Sequence, residues 1–463
     1  MKYKLNEKFE TKSIINFTKN LEGYSVDKET FIKFGDFKAY NVRGAEKLEY
    51  VVVVDEDNEE PRKLITLGYK VIKEVERFNI YDVDVVFEES LSKDAVLNIF
   101  EGIKQSEYKF DDYKTKDDEE CKELSINLSI KQDLSMEDFN YRENIVEGVN
   151  FTRFLVNTPA IDMYPETLAK AATEKLSSVG VNVKVLNKDE IEKLGMKAFL
   201  AVAEGSDKEP KFIIMEYLPA PGQKPIGLVG KGLTYDSGGY ALKPAKGMAT
   251  MHCDMGGSAT VIGSIYALAK NKVQRNVIGF VAACENMVSG RAYKNGDIIS
   301  SMKGTFIEVD NTDAEGRLTL ADAIYYASTK TDAEPIVDLA TLTGACVVAL
   351  GERTTGIVTN EDSLYEEFEK SSKEVGEYVW KLPTFDVLKD LLKSKRADII
   401  NSTGPYGGAM TAGLFLEHFV EDKKWAHLDI AGPAYTTSAY DYIPFGATGV
   451  PVKTLYDFVK NHK

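Results

Sequence analysis

Ile226-Gly227-Leu228-Val229-Gly230-Lys231-Gly232-Leu233-Thr234-Tyr235-Asp236-Ser237-Gly238-Gly239 joins an apolar run to a glycine-rich stretch carrying a lysine and an aspartate. Ile226 to Val229 is short, apolar and bounded by glycine, the pattern of a strand buried on both faces. Comparable runs surround it at Asn182 to Leu186, Phe212 to Tyr217, Val277 to Ala283 and Ile336 to Ala340. Between them lie helical patterns at Glu166 to Leu176, Val261 to Leu268 and Thr319 to Ser328. Apolar strands alternating with helices predict an α/β fold around a mixed, mostly parallel sheet. Ligands of such sheets sit at the carboxyl ends of the strands. Lys231 and Asp236 fall there, and flanking glycines would let the main chain wrap a small centre.

Upstream, residues 1 to about 135 read as a smaller α/β unit. Tyr50 to Val54 is a β-branched run ending in the acidic loop Asp55 to Glu60. Pro61 opens a helix with Leu64, Leu67, Val71, Ile72 and Val75 on one face. Val83 to Phe87 is a further strand, Ala95 to Ile103 a short helix, and Leu124 to Ile130 alternates like an edge strand. Residues 135 to 157 form one long connecting helix, stopped at Val156-Asn157-Thr158-Pro159. The domain boundary is placed inside it: an N-terminal α/β domain with the connecting helix over 1–150, and a larger α/β domain, the one holding the candidate site residues, over 151–463. The first third gathers no polar residues of a catalytic kind.

A chain of 463 residues with 43% hydrophobic and 28% charged residues can bury a large core. Its net charge of -16 argues against a nucleic-acid partner, which demands clustered Lys and Arg. No apolar run approaches a membrane span, and Met1 to Glu10 has no signal-peptide core, so a cytoplasmic, membrane-free protein is expected. Cys121, Cys253, Cys284 and Cys346 are scattered without a C-x-x-C, as reduced thiols are. With His252, His418, His427 and His462 as the four histidines, any metal would be held mainly by carboxylates.

Asn311-Thr312-Asp313-Ala314-Glu315-Gly316-Arg317-Leu318 sets two acids and a base at alternate positions. In an extended segment Asp313, Glu315 and Arg317 would point the same way, suiting a metal site that also holds an anion. The plain alternative is a polar turn before a helix. Asp254 precedes Gly256-Gly257 at another element end. A phosphate loop is excluded because Gly232 follows Lys231, breaking the G-x-x-x-x-G-K-S/T pattern. Lys231 and Lys243 could be surface lysines, and Asp236 to Gly239 a simple turn. His252 and Cys253 read as packing or rim residues, and Asp297, His427 and Asp429 as non-catalytic.

Taken together, Val229 to Gly232, Asp236 to Gly239, Lys243-Pro244, Asp254 to Gly257 and Asn311 to Leu318 resemble the leucyl aminopeptidase family. Val156-Asn157-Thr158-Pro159-Ala160, Glu285-Asn286-Met287, Ala340 to Ala345 and Trp425 to Gly432 fit the same family, so the resemblance spans the second domain. It implies a two-metal aminopeptidase. Lys231, Asp236, Asp254, Asp313 and Glu315 would hold two divalent ions, Asp236 and Glu315 bridging them. Manganese or zinc is expected, with magnesium or cobalt also compatible with oxygen donors. Lys231 would ligate as the neutral amine. A hydroxide shared by the metals would attack the peptide carbonyl, with Lys243 stabilising the oxyanion. Arg317, with Leu342, would hold a bicarbonate as general base, its planar fork matching a bidentate oxyanion. Met251, Thr341, Gly344 and Ala431 would line the pocket for the first side chain, Leu or another apolar residue. Ala434 stands where relatives carry a larger residue. The family also implies a homohexamer turning over peptides. A binuclear phosphate-ester hydrolase and a nucleic-acid-binding regulator are the competing readings. The first lacks an anion cradle beyond Lys243 and Arg317, and the net charge opposes the second.

Overall fold

The computed structural model describes residues 1–6, 13–43, 48–55, 59–115 and 123–463. Cys121, residues 7–10 of the polar start and the centre of the Asp55–Glu60 loop lie outside the described residues. Two units divide the chain: Met1–Val146 with Ala439–Ile443, and Glu147–Ser438 with Pro444–Lys463. The division falls within the helix Met136–Asn157, which ends two residues before Pro159.

In the first unit, the described residues form a sheet ordered Lys2–Leu5, Ser125–Ile130, Asp82–Phe87, Ser13–Thr18, Leu48–Val53, Phe37–Asn41, Ile32–Phe34. Its first five strands pair in parallel and its last two antiparallel. Ser125–Ile130, expected at an edge, is interior. Lys2–Leu5 pairs along it from Lys2 with Ser125 to Leu5 with Leu128. That edge strand is half charged and only partly buried, so it carries no apolar signature. Helix Pro61–Arg77 buries Leu64, Leu67, Val71, Ile72 and Val75, the face that their spacing predicts.

In the second unit the larger sheet runs Tyr378–Lys381, Thr354–Thr359, Trp425–Asp429, Ile336–Ala340, Ile226–Asp236, Val277–Asn286, Lys211–Tyr217, Asn182–Leu186. The four central strands, Trp425–Asp429 to Val277–Asn286, are mutually parallel, and antiparallel pairs flank them. This is the mixed α/β architecture that the apolar runs predict. The core gathers Leu233, Phe212, Phe280, Leu320, Ile336 and Trp425, each essentially inaccessible to solvent. Among the described residues no helix is long and apolar enough to cross a membrane.

The central strand is longer than its apolar run suggests. It continues to Asp236, which pairs with Asn286, and its register slips between Leu233 and Tyr235 at a bulge. Lys231 and Asp236 therefore belong to the strand rather than to a loop beyond it. Gly230 and Gly232 serve close packing and do not turn the chain. A Cβ at Gly230 would stand 2.6 Å from Ser258 Cα, and one at Gly232 2.8 Å from the Ala282 carbonyl oxygen.

Helix Gly316–Lys330 carries a buried acid that the sequence pattern does not single out. Asp322 accepts the backbone N–H groups of Phe199 (3.0 Å) and Met302 (2.7 Å). Burial pushes its carboxyl up to about 7, against the pull of hydrogen bonds from Met302, Phe199 and Ala198. The folded chain then retains a proton that the unfolded chain releases near the ordinary value of 3.8. Stability from this group is greatest below 3.8, falls as pH rises towards 7, and is level above that. Urea unfolding between pH 4.5 and 8 should show this decline in the native protein, and Asp322→Asn should flatten it in that window.

Candidate metal centre

Two lysines and four carboxylates from separate elements meet at the carboxyl end of the Ile226–Asp236 strand. Lys231 Nζ stands 2.8 Å from both carboxylate oxygens of Asp254 and 2.9 Å from Glu315 Oε1, and donates to the Thr341 carbonyl at 3.0 Å. Lys243 Nζ lies 2.8 Å from Asp236 Oδ2 and 2.7 Å from Asp313 Oδ1. Asp254 arrives on the short turn Met251–Met255, directly before the helix Gly256–Lys270. Glu315 is the residue on which helix Gly316–Lys330 begins. Gly316 lets that helix rest on the lysine stem, because a Cβ there would stand 2.4 Å from Lys231 Cε.

The stretch Asn311 to Leu318 is not extended. Residues 312–313 form a turn in which Asn311 Oδ1 accepts the Asp313 N–H at 2.9 Å. The turn, rather than a two-residue strand period, directs Asp313 to Lys243 and Glu315 to Lys231. Arg317 falls in the first helical turn and donates Nη1 to the Asn401 carbonyl at 2.7 Å, while its Nε is buried without a hydrogen-bond partner. Burial lowers the Arg317 guanidinium to about 10, with Glu315 and Asp429 opposing.

The cluster is short of positive charge. Burial and the neighbouring Asp236 raise the Glu315 carboxyl to about 8. Burial also lifts Asp254 to about 6 against the attraction of Lys231, and it raises Asp313 against Lys243. For both lysines burial favours the neutral amine, but Asp254, Glu315 and Asp236 outweigh it and hold them as ammonium ions. Glu315 Oε2 is buried with no hydrogen-bond partner. One carboxylate oxygen each from Asp236, Asp313 and Glu315 lie within 4.8 Å of one another, so a single cation can touch all three. An oxygen-rich, electron-rich cluster with an unsatisfied buried oxygen fits divalent cations.

Beside the cluster opens a cavity of about 600 Å³, bordered by Asp313, Arg317, Leu342 and Gly344. Thr341 does not border it but donates its hydroxyl to Asp254 Oδ1 at 2.7 Å. Met251 opens the turn that delivers Asp254, and Ala431 is tied by its N–H to Asp429 Oδ1 at 3.1 Å. Neither of these two borders the cavity.

The cytosol aminopeptidase family's catalytic domain matches residues 150–456. The chain belongs to the cytosol aminopeptidase family. It is 53% identical over 364 residues to a probable cytosol aminopeptidase of Treponema denticola, covering 77% of this chain and 76% of that one. To a probable cytosol aminopeptidase of Clostridium tetani it is 44% identical over 452 residues, 96% of this chain and 94% of the relative. Among solved structures it resembles the bottromycin maturation enzyme BotP in complex with Mn. That likeness has a TM-score of 0.88 at 28% identity and covers 97% of this chain and 99% of the other. The chain is thus a hydrolase acting on peptides, of a metal-dependent aminopeptidase family, as its motifs imply.

Three further residues hold the centre in shape. Asn286 Nδ2 donates to Asp236 Oδ1 (2.7 Å) and to the Thr312 carbonyl (3.0 Å). The Thr312 hydroxyl donates to the Gly238 carbonyl and accepts the Ala241 N–H, each at 2.8 Å, clipping the Asp313 turn to the segment that follows Asp236. Asn401 receives Arg317 on its carbonyl and accepts the Asp310 N–H on Oδ1 at 2.9 Å. Asn286 and Thr312 stand inside recognisable motifs, but nothing in the sequence marks Asn401. The remaining polar candidates have partners of their own. Asp297 accepts the Lys294 N–H, His427 pairs with Asp338 at 2.6 Å, and Asp429 accepts from Leu342, Thr343 and Ala431. His252 stands edge-on to Tyr435.

Gly316→Ala should force Lys231 off its carboxylates. Such overpacking costs about 1–3 kcal/mol. Chemical denaturation should show the loss, and elemental analysis of the metal-loaded variant should show reduced ion content.

Proposed function

We propose that this chain is a two-metal aminopeptidase that releases the N-terminal residue, preferably Leu or another apolar one, from unblocked peptides. The observation that carries the reading is the buried four-carboxylate, two-lysine cluster opening onto a cavity. Asp236 and Glu315 would be shared by two divalent ions, Lys231 and Asp254 completing one position and Asp313 the other. Manganese or zinc is the favoured occupant, with magnesium or cobalt as alternatives. Bound there, the ions supply Lewis acidity towards the peptide carbonyl and acidify the attacking water.

The chain's own groups divide the remaining work. Lys231 must shed its proton to serve as a ligand, which two nearby dications favour. Lys243, on a loop and less buried than Lys231, is assigned to donate to the developing oxyanion, where a positioned cation acts most strongly in a water-poor site. Arg317, with Leu342 on the same cavity wall, is assigned to hold a bicarbonate as the general base. Its buried Nε supports this, since the guanidinium keeps a donor that the protein does not use. Met251, Thr341, Gly344 and Ala431 are assigned to the pocket for the departing side chain. Residues 1–150 are taken as a non-catalytic domain and 151–463 as the catalytic one. A cytoplasmic homohexamer is the assembly we expect, and light scattering measures it.

Metal-loaded protein should hydrolyse leucinamide and leucyl-p-nitroanilide, and chelation should abolish both activities. Lys243→Ala should lower kcat by about a hundred- to a thousandfold with ion content unchanged. Asp313→Ala should lose one ion per chain by elemental analysis. Loaded enzyme that leaves both substrates intact refutes the reading.

A further inference from the structure

Asp429 is wholly buried at the end of the Trp425–Asp429 strand, paired with Ala340 at the end of the neighbouring strand. Its carboxylate ties together the two segments that leave these strands. Oδ1 accepts the Ala431 N–H at 3.1 Å and the Leu342 N–H at 3.3 Å, and Oδ2 accepts the Thr343 hydroxyl at 2.7 Å. The Thr343 oxygen accepts the Cys346 N–H at 3.0 Å, and the Ile430 N–H reaches the Ala340 carbonyl at 2.8 Å. Burial pushes the Asp429 carboxyl up, with His427 and these hydrogen bonds opposing it. A carboxylate kept in a dry interior at that cost holds residues 341–343 to one path.

That path carries Thr341 to the cluster, where it reaches two of the proposed ligands at once. Its carbonyl accepts from Lys231 Nζ at 3.0 Å, and its hydroxyl donates to Asp254 Oδ1 at 2.7 Å. Its methyl lies on the start of the helix Gly256–Lys270, since a Cβ at Gly256 would stand 3.3 Å from Thr341 Cγ2. With the backbone fixed by Asp429 and the methyl by Gly256, the direction of the hydroxyl is set. Asp254 Oδ2 is buried and accepts no hydrogen bond, so the oxygen that Thr341 leaves alone is the one open to a cation. Once deprotonated, Lys231 has a single lone pair for a cation, and an N–H held on the Thr341 carbonyl limits where it points.

We propose that Thr341 is a positioning residue for the ion held by Lys231 and Asp254, and that Asp429 anchors it there. The task is separate from lining a side-chain pocket. Thr341 acts on the two ligands, and Asp429 acts on Thr341 through the Leu342–Thr343 main chain. The proposal rests on the two-metal reading and concerns one of its two ion positions. The Asp313 side has supports of its own in Asn286 and Thr312, so a separate connection holds each position.

The test reads manganese binding to the full chain by titration calorimetry, with elemental analysis of the dialysed protein. In an Asp313→Ala background the ion at Lys231 and Asp254 remains. Thr341→Val, which keeps the shape and removes the hydroxyl, should weaken that ion by about ten- to a hundredfold, as loss of a ligand's hydrogen-bond partner does. Thr341→Ser should hold it near the background affinity. Asp429→Asn should weaken it too, and combining it with Thr341→Val should cost less than the product of the separate losses, because both act along one connection. In an Asp254→Ala background the ion at Asp313 should be indifferent to Thr341→Val. Equal weakening of both ions, no weakening by Thr341→Val, or fully independent losses overturns the proposal and leaves the two-metal reading standing. Wild type that binds no manganese removes that reading and this proposal with it.

Discussion

Four carboxylates crowded into a protein interior repel one another and lose their hydration, and the larger unit is arranged around that cost. Lys231 and Lys243 offset part of it, each by bridging two acids. The remaining excess of negative charge persists because the backbone gives the acids no room to separate. Asp236 is fixed by the sheet, Asp254 by a tight turn between sheet and helix, and Glu315 by the start of a helix resting on the lysine stem. A site built this way is an appetite for cations held in place by rigid elements. Preorganisation of that kind costs folding energy but spares rearrangement when an ion arrives.

The second layer shows how the rigidity is transmitted. Asn286 reaches from the neighbouring strand to both Asp236 and the loop of Asp313. Thr312 binds that loop to the one bearing Lys243, and the Asn401 carbonyl accepts from the Arg317 guanidinium. Each link is a neutral amide or hydroxyl, so the supports add no charge to a centre already overloaded with it. His427 and Asp338 form a separate buried pair on adjacent central strands, with Trp425 donating its indole N–H to the same aspartate at 2.7 Å. Histidine near a strand end is therefore a matter of sheet cohesion here.

Local patterns made much of this readable. Apolar runs such as the first seven residues of Val277–Asn286 are readable because strands buried on both faces are rich in apolar residues. The glycines beside Lys231 permit strand packing, whereas Gly238 and Gly239, at φ +85° and +60°, turn the chain beyond Asp236 back against Asp313. The alternation of Asp313, Glu315 and Arg317 suggested an extended segment, but an Asn311-capped turn makes the convergence. Asn401 and Asp322 left no trace because the partners of the first lie 84 to 91 positions away and those of the second are split between a helix and a distant turn. Polar residues whose purpose is a distant backbone group look like any surface residue in one dimension. Lys2–Leu5 is inconspicuous for the opposite reason: half of it is charged, and Tyr3 and Leu5 reach the core only from a partly buried edge.

The bulge in the central strand has a consequence for parity. Side chains along a strand alternate, so two residues five positions apart face opposite ways. Lys231 and Asp236 are such a pair, yet both contribute to one cluster. The slip between Leu233 and Tyr235 inserts one uncounted residue and returns Asp236 to the side of Lys231. The centre thus depends on a residue whose identity matters less than its presence. Removing Thr234 would leave every member of the cluster in the sequence and turn one of them to the far side of the sheet. The count of residues along the backbone thus shapes the cluster as much as its side chains do.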